Sequence, residues 1–149
     1  MSHQKKRKLK RLTEKKIWNK LNLFQKEHDN AHFMRIESST INGIPDVYCA
    51  YQDYSFWLEL KANQDKNHGV SKYQMVWHLK HRRAGGNCFI LNQPLVDRVP
   101  KLLAVEEPGL VLPVPVPVVP VPVMKILDWM CTGPGSELAR DGIRSSRSR

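Results

Sequence analysis

The chain has 149 residues, 41% of them hydrophobic, with a formal net charge of +10 and a pI of about 9.7. That length suits one domain with a real core, and the hydrophobic share suits a folded protein. The charge favours polyanionic partners, nucleic acid ahead of anionic membrane. No stretch reaches the roughly 20 apolar residues of a spanning helix, so no membrane partner is expected.

Residues 1–12 read as a basic, disordered arm. Ten Lys or Arg stand in residues 1–26 against one acid, Glu14. The string KKRKLKR fits a phosphate-gripping arm as well as a nuclear localisation signal. No signal peptide is visible, because the basic start leads into an amphipathic segment. Thr13 is a fitting N-cap for a helix over 13–27, in which Ile17, Trp18, Leu21 and Phe24 recur at helical spacing. Residues 32–37 alternate as a strand, and 38–43 form a loop. Strands are expected at 46–51 and 55–61, joined by a short turn near Gln52-Asp53. Residues 62–70 are polar and mobile. Ser71 caps a helix over 72–83 that Gly85-Gly86 stops, residues 87–91 read as a buried strand, and a short helix is expected at about 94–105.

After Pro108 the character changes. Residues 113–123 read PVPVPVVPVPV. Proline near every second position removes ladder donors and favours extended backbone, so a stiff linker or a peptide ligand is expected. Residues 124–130 read as a short helix able to dock, and the basic end as disordered. The element order predicts an α/β fold, a mixed central sheet flanked by helices. Residues 13–107 form its domain, and 108–149 a Pro-rich linker with a basic tail.

Three cysteines, Cys49, Cys88 and Cys131, lack paired spacing. Cys49 and Cys88 lie in strand-like runs and read as buried free thiols, which suits a reducing compartment: the cytoplasm, or the nucleus in a eukaryote.

The chemistry concentrates in two strings, Gly43-Ile44-Pro45-Asp46 and Glu59-Leu60-Lys61. Side chains two apart on a strand share a face, so Glu59 and Lys61 stand side by side, with Asp46 at the edge of the neighbouring strand. Two carboxylates and a lysine on one face can hold a divalent metal and activate a water. A Glu-x-Lys pair on an exposed strand is common. Here Trp57, Leu58 and Leu60 suggest a central strand, where unpartnered charge is costly. Zinc is not expected without paired Cys/His spacing. His78 and His81 read as a helix edge facing solvent or DNA rather than a ligand pair. Lys72, Lys80, Arg82 and Arg83 form a basic helix edge, either solvated or in contact with DNA. Trp57, Tyr73 and Trp77 read as core packing before base stacking.

Pro45-Asp46, a spacer and Glu59-x-Lys61, followed by a helix bearing Ser71-x-x-Gln74, Gly85-Gly86 and an apolar strand, resemble the PD-(D/E)XK nuclease superfamily. Within it the chain is most similar to the small VRR-NUC group and its Holliday junction resolvase-like relatives. The resemblance covers about residues 13–92. It implies a restriction-endonuclease-like core and hydrolysis of DNA phosphodiesters with Mg²⁺, which Mn²⁺ can replace. By this resemblance Asp46, Glu59 and the Leu60 carbonyl are metal ligands, joined by an acid of the first helix, Glu14 or alternatively Glu27. Lys61 orients or activates the attacking water and stabilises charge on the phosphate, and Gln74 helps place Lys61 or the substrate. Arg35 stands where similar nucleases carry a basic residue against the phosphate, and an ordinary surface arginine is the equal alternative. Ser38 and Ser39 are weaker candidates for backbone contact. Branched or flapped duplex DNA, a homodimer, a phage origin, and a role in recombination, repair or phage DNA processing are the further expectations. The competing readings are a nicking, restriction-type or exonuclease enzyme of the same fold, and a basic DNA-binding protein without catalysis.

Overall fold

The computed structural model describes residues 3–38, 40–63, 67–94 and 99–132, with backbone alone for 3–13. One six-stranded sheet runs through it. Its strands, β1 (Ala31–Arg35), β2 (Val47–Tyr51), β3 (Tyr54–Lys61), β4 (Cys88–Asn92), β5 (Lys101–Glu106) and β6 (Leu110–Pro113), lie side by side in chain order. Neighbours pair antiparallel except β3 and β4, which are parallel and joined across the sheet by helix α2 (Lys72–Arg83). The architecture is therefore α/β with a mixed sheet and flanking helices, as the element order predicts.

Alternation on β3 decides what each face does. Phe56, Leu58 and Leu60 join Phe33, Val47 and Cys49 beneath helix α1 (His3–Glu27) and helix α3 (Val121–Thr132). Ile17, Leu21 and Phe24 of α1 and Val123, Ile126 and Met130 of α3 close that core. The residues between, Trp57, Glu59 and Lys61, point to the α2 face. A smaller cluster there, Val70, Ile90, Leu103 and Val105 with Met75 and Leu79, seats α2 over β4 and β5. The β2–β3 hairpin closes through Gln52 and Asp53, both at positive φ, as a two-residue turn matched to strand twist requires.

Three expectations change. Thr13 is not an N-cap, because α1 begins at His3 and the arm expected to be disordered is helical from there. Of the helix expected at 94–105, residues 95–98 lie outside the described residues and 101–105 belong instead to strand β5; its run Leu102–Val105 is buried on both faces, and a short continuous apolar run carries no periodicity to separate strand from helix. The stretch expected as a stiff linker belongs to the fold. β6 pairs with β5, Val114 N–H donates to the Leu102 carbonyl over 3.1 Å, a 3-10 turn spans Val116–Val118, and α3 enters the main core. Its prolines fall where no N–H is needed: Pro113 on the edge strand, Pro122 in the first turn of α3. The docking helix expected at 124–130 is the body of α3. The basic end, 136–149, lies outside the described residues. Among them no helix is long and apolar enough to cross a membrane.

Candidate active site

Glu59 is 2% exposed, close to the carboxyl end of β3. Its Oε1 accepts from Gln74 Nε2 at 2.9 Å and lies 3.5 Å from Lys61 Nζ. Its Oε2 is buried without a hydrogen-bond partner. Burial first, and then the Asp46 charge, push the Glu59 carboxyl up to about 9, against the pull of Lys61. An orphaned carboxylate oxygen in such a place is costly. A proton held between Glu59 and Asp46 is one way to satisfy the pair; a cation is the other.

Asp46 comes from the loop before β2. Beyond Val47 the strands part, and the Asp46 Oδ2 takes the N–H of Leu60, at 2.8 Å, that the ladder leaves open. The carbonyl of a strand residue faces the same neighbour as its N–H, so the Leu60 carbonyl also faces this open side. Gly43 brings the loop there. It has φ +83°, and a side chain on it would run into the Tyr73 carbonyl in the first turn of α2.

Gln74 is the joint between helix and site. Ser71 and Gln74 form a capping box: Gln74 N–H donates to Ser71 Oγ at 3.2 Å, and Gln74 Oε1 accepts from Ser71 N–H at 2.9 Å. The same amide donates through Nε2 to Glu59. Its orientation is set by partners, since one is a donor and the other an acceptor.

On β4, Asn92 sits in register with Lys61 and is fully buried. Its amide exchanges two hydrogen bonds with the Asn63 backbone, at 2.9 and 3.0 Å, and its Nδ2 lies 2.9 Å from His68 Nδ1. Asn92 thus ties down the chain as it leaves Lys61. Sequence reasoning missed it; the one signal was a polar residue ending the apolar run Phe89-Ile90-Leu91. His78, expected on an exposed edge, is 0% exposed with both ring nitrogens unpartnered, and burial holds it at about 4, neutral at ordinary pH.

Among the described residues no three His, Cys, Asp or Glu side chains form a group able to hold a metal. Asp46 and Glu59 are instead accompanied by Leu60 backbone, Lys61 and Gln74. Glu14 is half-buried on α1, the helix covering the opposite face. That helix turns into β1 through the His28 carbonyl, which accepts from Ala31 N–H at 3.1 Å, so it runs back along β1 and β3. Its N-terminal half therefore points toward the carboxyl end of β3. Lys20 Nζ reaches Gln93 Oε1 at 3.5 Å, and Gln93 N–H bonds the Lys61 carbonyl at 2.9 Å. Glu14 lies at the site's end of the sheet; Glu27 lies about 20 Å further along the helix axis.

The chain matches no protein-family model and no curated protein.

The basic candidates are scattered. Arg35 pairs with Val47 and so lies on the α1 face, away from Glu59 and Lys61, exposed at the same end of the sheet. Ser38 Oγ accepts from Ile41 N–H at 3.2 Å in an exposed loop, and Ser39 lies outside the described residues. Lys72 opens α2 beside the site and is exposed, as is Lys80 about 12 Å along the helix. Arg82 bonds the Val105 carbonyl at 2.9 Å and Glu106 at 3.1 Å; Arg83 meets Glu107 at 2.6 Å. These two guanidinium groups tie the far end of α2 to β5 and the turn after it.

Proposed function

We propose that the chain is a divalent-metal-dependent nuclease of the PD-(D/E)XK type, hydrolysing DNA phosphodiesters and acting on branched or flapped duplexes. One observation carries this reading: Glu59 Oε2, buried and unpartnered beside Asp46, with Lys61 on the same sheet face. Structural carboxylates are rarely left so. In this reading the mixed sheet is a restriction-endonuclease-like core, and Glu14, on the half of α1 nearer the site, is a further acid.

In this reading Asp46, Glu59 and the Leu60 carbonyl hold Mg²⁺ or Mn²⁺, hard cations suited to oxygen donors. The bound ion supplies Lewis-acid charge stabilisation and a lowered water pKa. Gln74 holds Glu59 Oε1, which leaves Oε2 for the ion. Lys61 offers a fixed positive charge to the phosphate oxygens as negative charge builds on them, and a donor to orient the water. Asp46 keeps its Oδ2 on Leu60 N–H, which fixes the separation of the two acids. Lys15 and Lys16 of α1 and Lys72, all exposed, contribute phosphate contacts, and paired cuts on a branched duplex call for a homodimer.

The test is cleavage of labelled four-way, flap, nicked and linear DNA with Mg²⁺ by wild type, Asp46→Asn and Glu59→Gln. Wild type cuts, and each variant loses cutting while still binding DNA. Cleavage surviving in both variants removes the assignment. DNA binding by wild type without cleavage under Mg²⁺ or Mn²⁺ favours a non-catalytic binding protein.

A further inference from the structure

The α2 face carries an aromatic shelf that the proposed hydrolysis does not use. Met34, Tyr48 and Trp57 lie in register across β1, β2 and β3, on the face of Glu59 and Lys61. The Tyr48 and Trp57 rings meet edge to face with centroids 5.0 Å apart, Trp57 meets Trp77 of α2 at 5.5 Å, and Trp77 stacks on His81 at 4.7 Å. Tyr48, Trp57 and Trp77 belong to neither core cluster, and all three are partly exposed. Met34 is 47% exposed and Tyr73, one turn before Trp77, 65%. Core-building aromatics behave otherwise: Phe24 and Phe56 are 1% exposed.

The position of the shelf is what matters. Tyr48 is two residues from Asp46 and Trp57 two from Glu59, so the rings begin about 7 Å from the acidic pair. Lys72 stands beside Tyr73, and Lys61 lies on the same face beyond Glu59, about 13 Å from Trp57, within a chain of net charge +10. A partly exposed aromatic surface in a cationic chain, next to the proposed phosphodiester-cleaving centre, suits nucleic acid better than another protein surface. Bases in a duplex already stack on one another; a base must be unpaired to offer its face to a side chain.

We infer that Tyr48, Trp57 and Trp77, with Tyr73, form a stacking platform for unpaired bases next to the phosphate to be cut. The inference rests on the nuclease reading for its orientation and names the substrate class more narrowly: DNA with a single-stranded segment at the cleavage point. The platform reads no sequence, since every base has a π face.

The experiment uses the full chain with Ca²⁺ in place of Mg²⁺ and measures anisotropy of a labelled flap duplex, the matching blunt duplex, and the flap with abasic sites in its arm. The flap should bind about tenfold more tightly than the blunt duplex, and abasic sites should remove most of that gain. The abasic arm alters the DNA and not the protein, so misfolding plays no part. Trp57→Leu and Trp77→Leu, checked by thermal melting, should lose the same gain and become indifferent to abasic sites. Equal binding of intact and abasic arms overturns the inference, as does equal binding of flap and blunt duplex. It also fails if Trp77→Leu dissociates a dimer in sedimentation while keeping the preference for intact arms; the shelf is then an interface between copies. Cleavage by wild type under Mg²⁺ separates the two ideas. Cutting without sensitivity to abasic sites sinks the platform alone. Base-dependent binding without any cutting supports the platform and sinks the nuclease.

Discussion

The Gln74 amide donates to Glu59 Oε1 at 2.9 Å while its oxygen accepts from Ser71 N–H at the same distance. One side chain therefore closes the N-terminus of α2 and orients the buried acid. In the proposed nuclease, stability and activity are therefore coupled at this residue, and substitutions can separate them. Gln74→Ala removes both halves. Ser71 Oγ still caps the backbone, so the loss should be about 1 kcal/mol, that of one hydrogen bond, and cleavage should fall by about 10–100-fold, as expected for a partner behind the proposed metal ligand. Gln74→Glu keeps the acceptor for Ser71 but sets a second acid against Glu59. It should melt near wild type at low pH and still cut poorly, and denaturation together with cleavage assays reads both effects.

Glu59 makes the metal-free protein sensitive to alkali. Its folded carboxyl is raised to about 9 from an ordinary value of 4.5, chiefly by burial. The sign follows: the folded state keeps its proton where the unfolded chain has lost it. The contribution to stability is fully present below about 4.5, declines as pH rises, and is gone above about 9. Urea denaturation in EDTA across this window should show stability falling with pH, and Glu59→Gln should flatten that slope. Mg²⁺ should stabilise wild type most at the alkaline end, because the ion then displaces no proton. A slope unchanged in Glu59→Gln would show that other groups produce it.

Gly43 sets the approach of the Gly-Ile-Pro-Asp loop to α2. Its φ of +83° disfavours an L side chain, and a Cβ there has no room against the Tyr73 carbonyl. Gly43→Ala should destabilise by about 1–3 kcal/mol and lower cleavage further than that loss explains, because Asp46 moves with the loop. Crystal structures of both proteins check this through the Asp46–Leu60 hydrogen bond, which should lengthen beyond 2.8 Å in the variant.

Helix α3 belongs to the main core, with Ile126 at 2% exposure. Ile126→Ala should cost about 2–5 kcal/mol, the range for an aliphatic truncated in a packed interior. Truncation after residue 107 removes β6 and α3 together and should leave a chain that aggregates or fails to melt cooperatively. A truncated chain that melts as wild type does would show α3 to be dispensable.

Local chemistry made much of this molecule legible. Ser71 and Gln74, three apart before an amphipathic run, announce the N-terminus of α2, and the helix spans the predicted 72–83. Glu59 and Lys61 share a face because strand side chains repeat every two residues, whatever surrounds them. The alternating prolines from 113 to 123 misled because proline excludes a central strand or a helix interior, yet an edge strand and a first helical turn accept it. Leu102–Val105 misled because a run buried on both faces has no period to read.

Sequence alone determined which side chains share a strand face, where α2 begins, and that two acids and a lysine stand close along the chain. Those are properties of backbone period and capping, which act over a few residues. Only the tertiary structure decided that Asp46 captures Leu60 N–H where β2 ends, that Gln74 reaches Glu59 across the gap between helix and sheet, and that Glu14 rather than Glu27 lies at the site's end of α1. It also decided that Trp57 and Trp77 stay outside both cores. Each of these depends on the direction and spacing of packed elements, set by long-range burial and strand pairing and carried by no local pattern.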